Sequence, residues 1–254
     1  MVTATFRFYE ELNDFLPADR RKRQFAQTCA RGATVKHVIE ALGVPHTEVE
    51  VILANGASVD LSYVVRDGDF ISAYPMFESL DVTPVLRVRP APLRQTRFIA
   101  DAHLGRLARY LRMLGFDTLC ENGYADDEIA GIAARERRIV LTRDRALLMR
   151  KSITRGCYVR ATRPRQQLEE VVSRLDLQRA FDPFSRCLHC NRALGPVTQD
   201  AIRDRLPPRT AECYRRFWIC GGCERVYWEG SHWRRMEQLI AQLVREQRPK
   251  STHV

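Results

Sequence analysis

No stretch of this chain comes near the run of about 18 apolar residues that a membrane-crossing helix needs, so its 254 residues predict no membrane span. The N-terminus, "MVTATFRFYEEL", lacks the basic start and continuous apolar core of a secretion signal. Internal repeats and low-complexity tracts are also missing. These absences predict a cytoplasmic protein with no membrane partner. Disulfides are rare in that reducing compartment, so the 8 cysteines are read as packed thiols or metal ligands.

What is present is an ordinary globular composition, 45% hydrophobic and 28% charged, long enough for two or three domains. Net charge is +10 and uneven: −1 over residues 1–95, +6 over 96–180 and +5 over 181–254, mostly through arginine. A basic body attracts phosphate backbones by counterion release. Arginine-favouring codon usage would give the same totals, so charge alone does not identify a nucleic-acid binder.

The first third reads β-β-α-β-β. "TATFRFYEEL" alternates as a strand and "RQFAQTC" gives a second. Thr34 to Gly43 predicts a short helix with Val35, Val38, Ile39 and Leu42 on one face, ended by Gly43. Asn55-Gly56 is a strong hairpin signal, and Asp67-Gly68 marks a further turn before a last strand. The features "ILANGASV" and "RDGDFISAYP" resemble the β-grasp fold of ubiquitin and of the small sulfur carriers for molybdopterin and thiamine. Those carriers act through a free C-terminal Gly-Gly, which is missing here, so a docking module with a protein partner is expected instead. Thr83 to Thr96 holds Pro84, Pro90 and Pro92 without helical pattern and reads as a linker.

Beyond it, strands and helices alternate: "RFIAD", "HLGRLARYLRMLG", "DTLC", "DDEIAGIAARER", "RIVLT", "RALLMRK", "GCYVRA", "PRQQLEEVVSRL". This order predicts a parallel sheet with helices on its faces, and functional groups in such sheets collect beyond the carboxyl ends of the strands. Asp101 ends one strand, Asp144 follows another, and Asp126, Asp127 and Glu128 open the helix between them. Each is a natural helix cap. A shared rim would nonetheless set the carboxylates against one another, a conflict that Mg²⁺ or Mn²⁺ would relieve, since such ions prefer carboxylate oxygens. Ions held there could activate water for attack on a phosphodiester. Arg106, Arg109 and Arg112 recur every three residues on one helix; with Arg143 and Arg145 they are either a solvated face or a row of phosphate contacts.

The segments "FIADAHLGRLARYLRMLGFDT" and "DDEIAGIAARERRIVLTRDRALL", with the cysteine region below, resemble the Mut-seven C-terminal RNase family, a shortened relative of PIN-domain nucleases. The resemblance spans residues 97–246. It implies metal-dependent RNA hydrolysis and carries the acidic role onto Asp101, Asp126 and Asp144. Full PIN domains show a fourth acidic position, for which Asp127 and Glu128 are the nearest candidates.

"RCLHC" and "WICGGC" place Cys187 and Cys190, then Cys220 and Cys223, as two C-x-x-C pairs 29 residues apart. Two such knuckles complete a closed tetrahedral Zn²⁺ site. His189, inside the first pair, reads as a surface residue, and Cys29, Cys120, Cys157 and Cys213 as packed thiols. Trp218, Tyr227, Trp228, His232 and Trp233 lie among Arg215, Arg216, Arg225, Arg234 and Arg235. Aromatics among arginines suit single-stranded RNA; they would equally serve as the small ribbon's own core. "YWEGSH" also resembles the family's region after its last cysteine, which draws attention to His232. "WRRMEQLIAQLVRE" closes the chain as an amphipathic helix.

The expectation is therefore an α/β and α+β multidomain protein: a β-grasp module (1–82), a linker (83–95), a PIN-like domain (96–180), and a zinc ribbon with a C-terminal helix (181–254). Its expected activity is metal-dependent hydrolysis of RNA, single-stranded or of the tRNA or rRNA class. The competing reading is a non-catalytic RNA- or ribosome-binding protein whose acidic rim is structural.

Overall fold

The computed structural model describes residues 1–76, 87–88 and 96–246. Apart from Arg87 and Val88, the linker expected at 83–95 lies outside the described residues, as does the boundary expected at 82. Among the described residues no helix is long and apolar enough to cross a membrane.

The N-terminal region comprises β1 (Val2–Phe8), β2 (Phe25–Cys29), α1 (Val35–Ala41), β3 (Val51–Ala54), β4 (Ala57–Val59) and β5 (Phe70–Tyr74). The sheet runs β2-β1-β5-β3-β4, with β1 and β5 parallel and the other pairs antiparallel. This is the β-grasp arrangement. In β1 the period-2 pattern buries Val2, Ala4, Phe6 and Phe8, the last three in one core cluster with the buried Val35, Val38 and Ile39 of α1. Thr34 caps α1, its side chain accepting from the His37 N–H at 3.3 Å. Asn55 and Gly56, with φ of 51° and 83°, form the tight β3–β4 turn. The first strand is shorter than expected. At Glu10–Phe15 the chain turns into a 3₁₀ helix, because Asn13 Nδ2 donates to the carbonyls of Phe8 (2.9 Å) and Glu10 (3.0 Å).

The chain continues through β6 (Arg97–Ala100), α2 (Gly105–Met113), β7 (Asp117–Leu119), α3 (Asp126–Glu136), β8 (Ile139–Thr142), α4 (Arg145–Leu148), β9 (Gly156–Tyr158) and α5 (Pro164–Arg174). The last part adds β10 (Leu194–Val197), α6 (Pro208–Cys213), β11 (Phe217–Cys220), β12 (Val226–Trp228) and α7 (Ser231–Glu246). These elements gather into two compact units, one of Met1–His103 with Glu121–Arg160, the other of Leu104–Cys120 with Ala161–Val254.

In the first unit β6, β8 and β9 pair in parallel in that order, Phe98 opposite Ile139 and Leu141 opposite Cys157. Every residue of β8 is buried, as a strand covered on both faces requires. The β-grasp module docks on β9 and α4. Thr47 Oγ1 donates to the Leu148 carbonyl (3.3 Å), His46 Nε2 lies 3.0 Å from the Ile153 carbonyl, and Glu48 accepts the Tyr158 N–H. The Phe15 ring meets Tyr158 edge-on at 5.5 Å.

In the second unit α2 ends in a Schellman turn: Gly115 has φ of 96°, and the Phe116 N–H reaches the Leu111 carbonyl at 3.0 Å. A Cβ at Gly115 would collide with the Asp182 carbonyl, so that close approach excludes any other residue. The Asp182 and Phe184 N–H groups bond Leu114 and Met113, both at 3.0 Å, which ties the end of α2 to the chain entering the cysteine module.

Candidate functional site

The acidic rim is built where β6 and β8 end. The Asp101 N–H extends the ladder by donating to Leu141 (3.0 Å). Thr142, fully buried at the end of β8, donates from Oγ1 to Asp101 Oδ2 (2.9 Å) and accepts from the Asp144 N–H (2.9 Å). Asp144 Oδ1 in turn accepts from the Ala146 N–H (2.7 Å) and caps α4. One buried hydroxyl therefore ties two carboxylate-bearing residues to the same rim. Thr142 was not anticipated from the sequence; its one available signal was a threonine closing an apolar strand directly before Arg143 and Asp144.

Asp126 and Asp127 are placed differently from the expectation. The N-cap of α3 is Ala125, so neither carboxylate caps; both lie in the first turn, where the helix dipole favours them. Arg150, also unanticipated, pairs with both. Its Nη2 is 3.5 Å from Asp126 Oδ2, and its Nη1 binds Asp127 Oδ1. Asp127 is 90% exposed. As the side chains stand, Asp101, Asp126 and Asp144 do not converge into one ligand cluster. Among the described residues the four cysteines are the one group of three or more that does.

The arginines divide into two sets. Arg106, Arg109 and Arg143 are exposed. The guanidinium of Arg145 lies over the rings of Phe15 (5.1 Å) and Tyr158 (5.5 Å), with Arg160 also over Phe15 (4.9 Å). Arg145 is exposed as well, and its guanidinium packs against the β-grasp module through Phe15. Arg112 departs from its reading as a phosphate contact, because it is only 6% exposed. A three-residue repeat lags the helical turn, and two steps rotate the side chain by about 120°, which carries Arg112 off the face of Arg106 and into the interior. There its Nε donates to the Thr118 carbonyl (2.9 Å) and its Nη1 to the Leu188 (3.2 Å) and His189 (2.7 Å) carbonyls. Burial pushes the guanidinium below its ordinary pKa, and the thiols of Cys120, Cys187 and Cys190 draw it back up.

The cysteine module is a three-stranded antiparallel ribbon in the order β10-β11-β12. Its two knuckles share one construction. Cys190 N–H points at Cys187 Sγ (3.5 Å), and Gly222 N–H (3.3 Å) and Cys223 N–H (3.5 Å) point at Cys220 Sγ. Asn191 and Glu224, with φ of 67° and 55°, turn the chain after each pair. The four Sγ atoms lie within 4.8 Å of one another, with Cys187–Cys223 at 3.6 Å and Cys190–Cys220 at 3.2 Å. Tetrahedral zinc with Zn–S bonds near 2.3 Å sets sulfurs about 3.8 Å apart, so the donor set fits that ion. Burial first, then the neighbouring sulfurs, push the Cys223 thiol up to about 12; a divalent cation reverses this by binding the thiolate. The Tyr227 hydroxyl contacts Cys187 Sγ at 3.1 Å. β10, a 3₁₀ turn and α6, whose first residue is Pro208, fill the long gap between the knuckles.

The aromatics around the ribbon mostly pack. Phe184, Trp233 and Trp218 form a stack with centroid spacings of 3.7 and 4.8 Å, and Phe217 and Trp228 belong to the ribbon's own core with Ile202 and Leu206. Arg216 lies over Trp218 at 5.6 Å. His232 is exposed in the first turn of α7 and is outside the sulfur cluster, and His189 is exposed as expected. All eight cysteines are free of disulfides; Cys157 is buried as expected, whereas Cys213, at the end of the short α6, is exposed.

A β-grasp module, a parallel α/β core and a ribbon whose four cysteines could hold a metal ion define a multidomain protein. The chain belongs to the Mut7-C RNAse domain family, whose model matches residues 96–240, and the Mut7-C ubiquitin model matches residues 1–81. Among solved structures, small archaeal modifier protein 1 of Haloferax volcanii is similar at 19% identity over 30% of this chain and all of that one, with a TM-score of 0.25. A putative molybdopterin converting factor subunit 1 from Pyrococcus furiosus is similar at 19% identity over 30% of this chain and all of that one, again with a TM-score of 0.25. No curated protein matches the chain.

Proposed function

We propose that the protein is a metal-dependent ribonuclease of the cytoplasm, acting on single-stranded RNA or on RNA of the tRNA or rRNA class. The observation that supports this most directly is the Thr142 bridge, which keeps Asp101 and Asp144 on one strand-end rim of a chain in the Mut7-C RNAse domain family. Two carboxylates on that rim fit a hard cation such as Mg²⁺ or Mn²⁺, whose remaining positions water fills. Asp101 and Asp144 would hold the ion, and Thr142 fixes the orientation of the Asp101 carboxylate. Asp126 and Asp127 would join them if Arg150 left the two carboxylates for the substrate's phosphates. Arg143 contacts the backbone near the scissile bond, while exposed Arg106, Arg109 and His232 supply RNA contacts on the second unit. The bound ion supplies Lewis acidity at the phosphorus and lowers the pKa of the attacking water. In-line attack of water on the phosphorus, with the 3′-oxygen leaving, would give a 5′-phosphate and a 3′-hydroxyl. A protein partner for the β-grasp module belongs to the same reading, with β2 and β4 at the edges of its sheet.

The test is cleavage of an RNA panel by the full chain with and without Mn²⁺, beside Asp144→Asn. Cleavage that needs Mn²⁺ and disappears in the folded variant is expected; full activity in Asp144→Asn overturns the assignment. A second reading, RNA binding without cleavage, is favoured by the pairing of Asp126 and Asp127 with Arg150. RNA binding unaffected by EDTA, with no cleavage under any divalent metal, selects it.

A further inference from the structure

We propose that Arg112 is a positioning residue that couples the zinc module to α2 and β7, so that metal loading of the four cysteines holds that part of the α/β core in place. The inference rests on the cysteines holding zinc and is independent of the nuclease reading.

Arg112 is a buried cation, and among the described residues no carboxylate pairs with it. Its three acceptors are all backbone carbonyls, which offer dipoles but no formal charge. A guanidinium buried in this way is costly unless an opposite charge is near. Zinc with four thiolates carries a net charge of about −2 by formal count. Two of the acceptors, Leu188 and His189, are the residues between Cys187 and Cys190. The loaded knuckle therefore both aims the carbonyls that Arg112 needs and supplies the charge that it lacks.

A second strap runs in parallel. Asn191, which closes the first knuckle through its N–H to the Cys187 carbonyl (3.0 Å), accepts the Thr118 N–H at Oδ1 (2.9 Å) and donates from Nδ2 to Asp117 Oδ1 (2.7 Å). Arg186 Nε adds a bond to the Gly115 carbonyl (3.0 Å). All these contacts converge on residues 112–118, the end of α2 and the start of β7. Four free thiols would not hold the knuckle, and the carbonyls of Leu188 and His189 and the side chain of Asn191 would lose their directions together.

The experiment measures zinc content, zinc release to a chelator, and amide hydrogen exchange of the full chain before and after zinc removal. Residues 105–119 are expected to exchange faster without zinc while the β-grasp residues 1–76 keep their protection. Arg112→Met is expected to release zinc about 10- to 100-fold faster, the usual range for losing a partner just outside the ligand set, and Arg112→Lys, which keeps the charge but not the planar fork, to fall between. If Arg112→Met does not fold, the wild-type exchange comparison decides by itself. A protein that holds no zinc overturns the proposal at its base. Bound zinc whose removal leaves 105–119 unchanged, or exposes 1–76 equally, overturns the coupling, as does zinc release from folded Arg112→Met at the wild-type rate.

Discussion

Thr142 Oγ1 donates to Asp101 Oδ2 at 2.9 Å, joining the ends of two neighbouring parallel strands through a side chain with no solvent exposure. The same oxygen accepts the Asp144 N–H. Replacing Thr142 by valine keeps the shape but strands both partners. A loss of about 1–3 kcal/mol in urea unfolding is expected, together with Mn²⁺-dependent cleavage at least about tenfold weaker, since a misplaced group near the chemistry commonly costs that much. Thr142→Ser should recover both. Wild-type cleavage by the valine variant would show that the bridge has no part in the reaction.

Asp144 serves as a cap and, in the proposed reaction, as a ligand, and two substitutions separate these roles. Asparagine caps about as well as aspartate, whereas alanine costs about 1 kcal/mol. Asp144→Asn should therefore unfold at nearly the wild-type urea midpoint yet fail to cleave, and Asp144→Ala should lose both. Equal destabilisation by the two variants contradicts the capping geometry.

Arg106 and Arg109 should respond to salt differently from Arg145, whose guanidinium lies over two rings. Arg106→Ala and Arg109→Ala should each lower RNA affinity and reduce the slope of log affinity against log salt by about 1. Arg145→Ala should leave that slope intact and instead lower stability, because its guanidinium covers Phe15 and Tyr158. Titration of RNA binding at several salt concentrations distinguishes the two sets; a reduced slope in Arg145→Ala would restore it as a phosphate contact.

The β-grasp module carries its own acid sensitivity at Asp69. Burial opposes ionisation there, but bonds from the Arg66 N–H, Asn55 and Tyr63 outweigh it and hold the carboxyl below its usual pKa. The folded state thus favours the carboxylate. Its contribution is complete above the unfolded value of about 3.9 and is lost as pH falls through the lower folded value. Asp69→Asn should be less stable near neutrality and show a flatter acid limb in urea unfolding between pH 5 and pH 2, roughly the span of that titration. An unchanged acid limb would show that Asp69 is ionised alike in both states.

The elements most legible in the sequence were those with local causes. Asn55-Gly56 forced its hairpin, Thr34 and Gly43 bounded α1, and the alternation of strands and helices implied the parallel ladder of β6, β8 and β9. The cysteine spacing likewise implied the knuckles, because two thiolates three residues apart can meet only in a tight turn. Side-chain destinations were less legible. Arg112 looked exposed because three residues approximate a helical turn over one step but not over two. Arg145 found the ring of Phe15, far from it in sequence, as well as that of Tyr158. Asp126 read as a metal ligand and Asp127 as a further acidic candidate, with no local signal that Arg150 stands beside both.

The contacts of Thr47 and Glu48 with α4 and β9 bear on how the protein can be dissected. A fragment starting at residue 96 would lose the acceptor that Glu48 provides to the Tyr158 N–H and would bare one border of the parallel ladder. Such a border is an open template for intermolecular pairing. The fragment would be more prone to aggregate than the intact chain, so the ubiquitin-like module acts as a built-in shield for the domain that follows it.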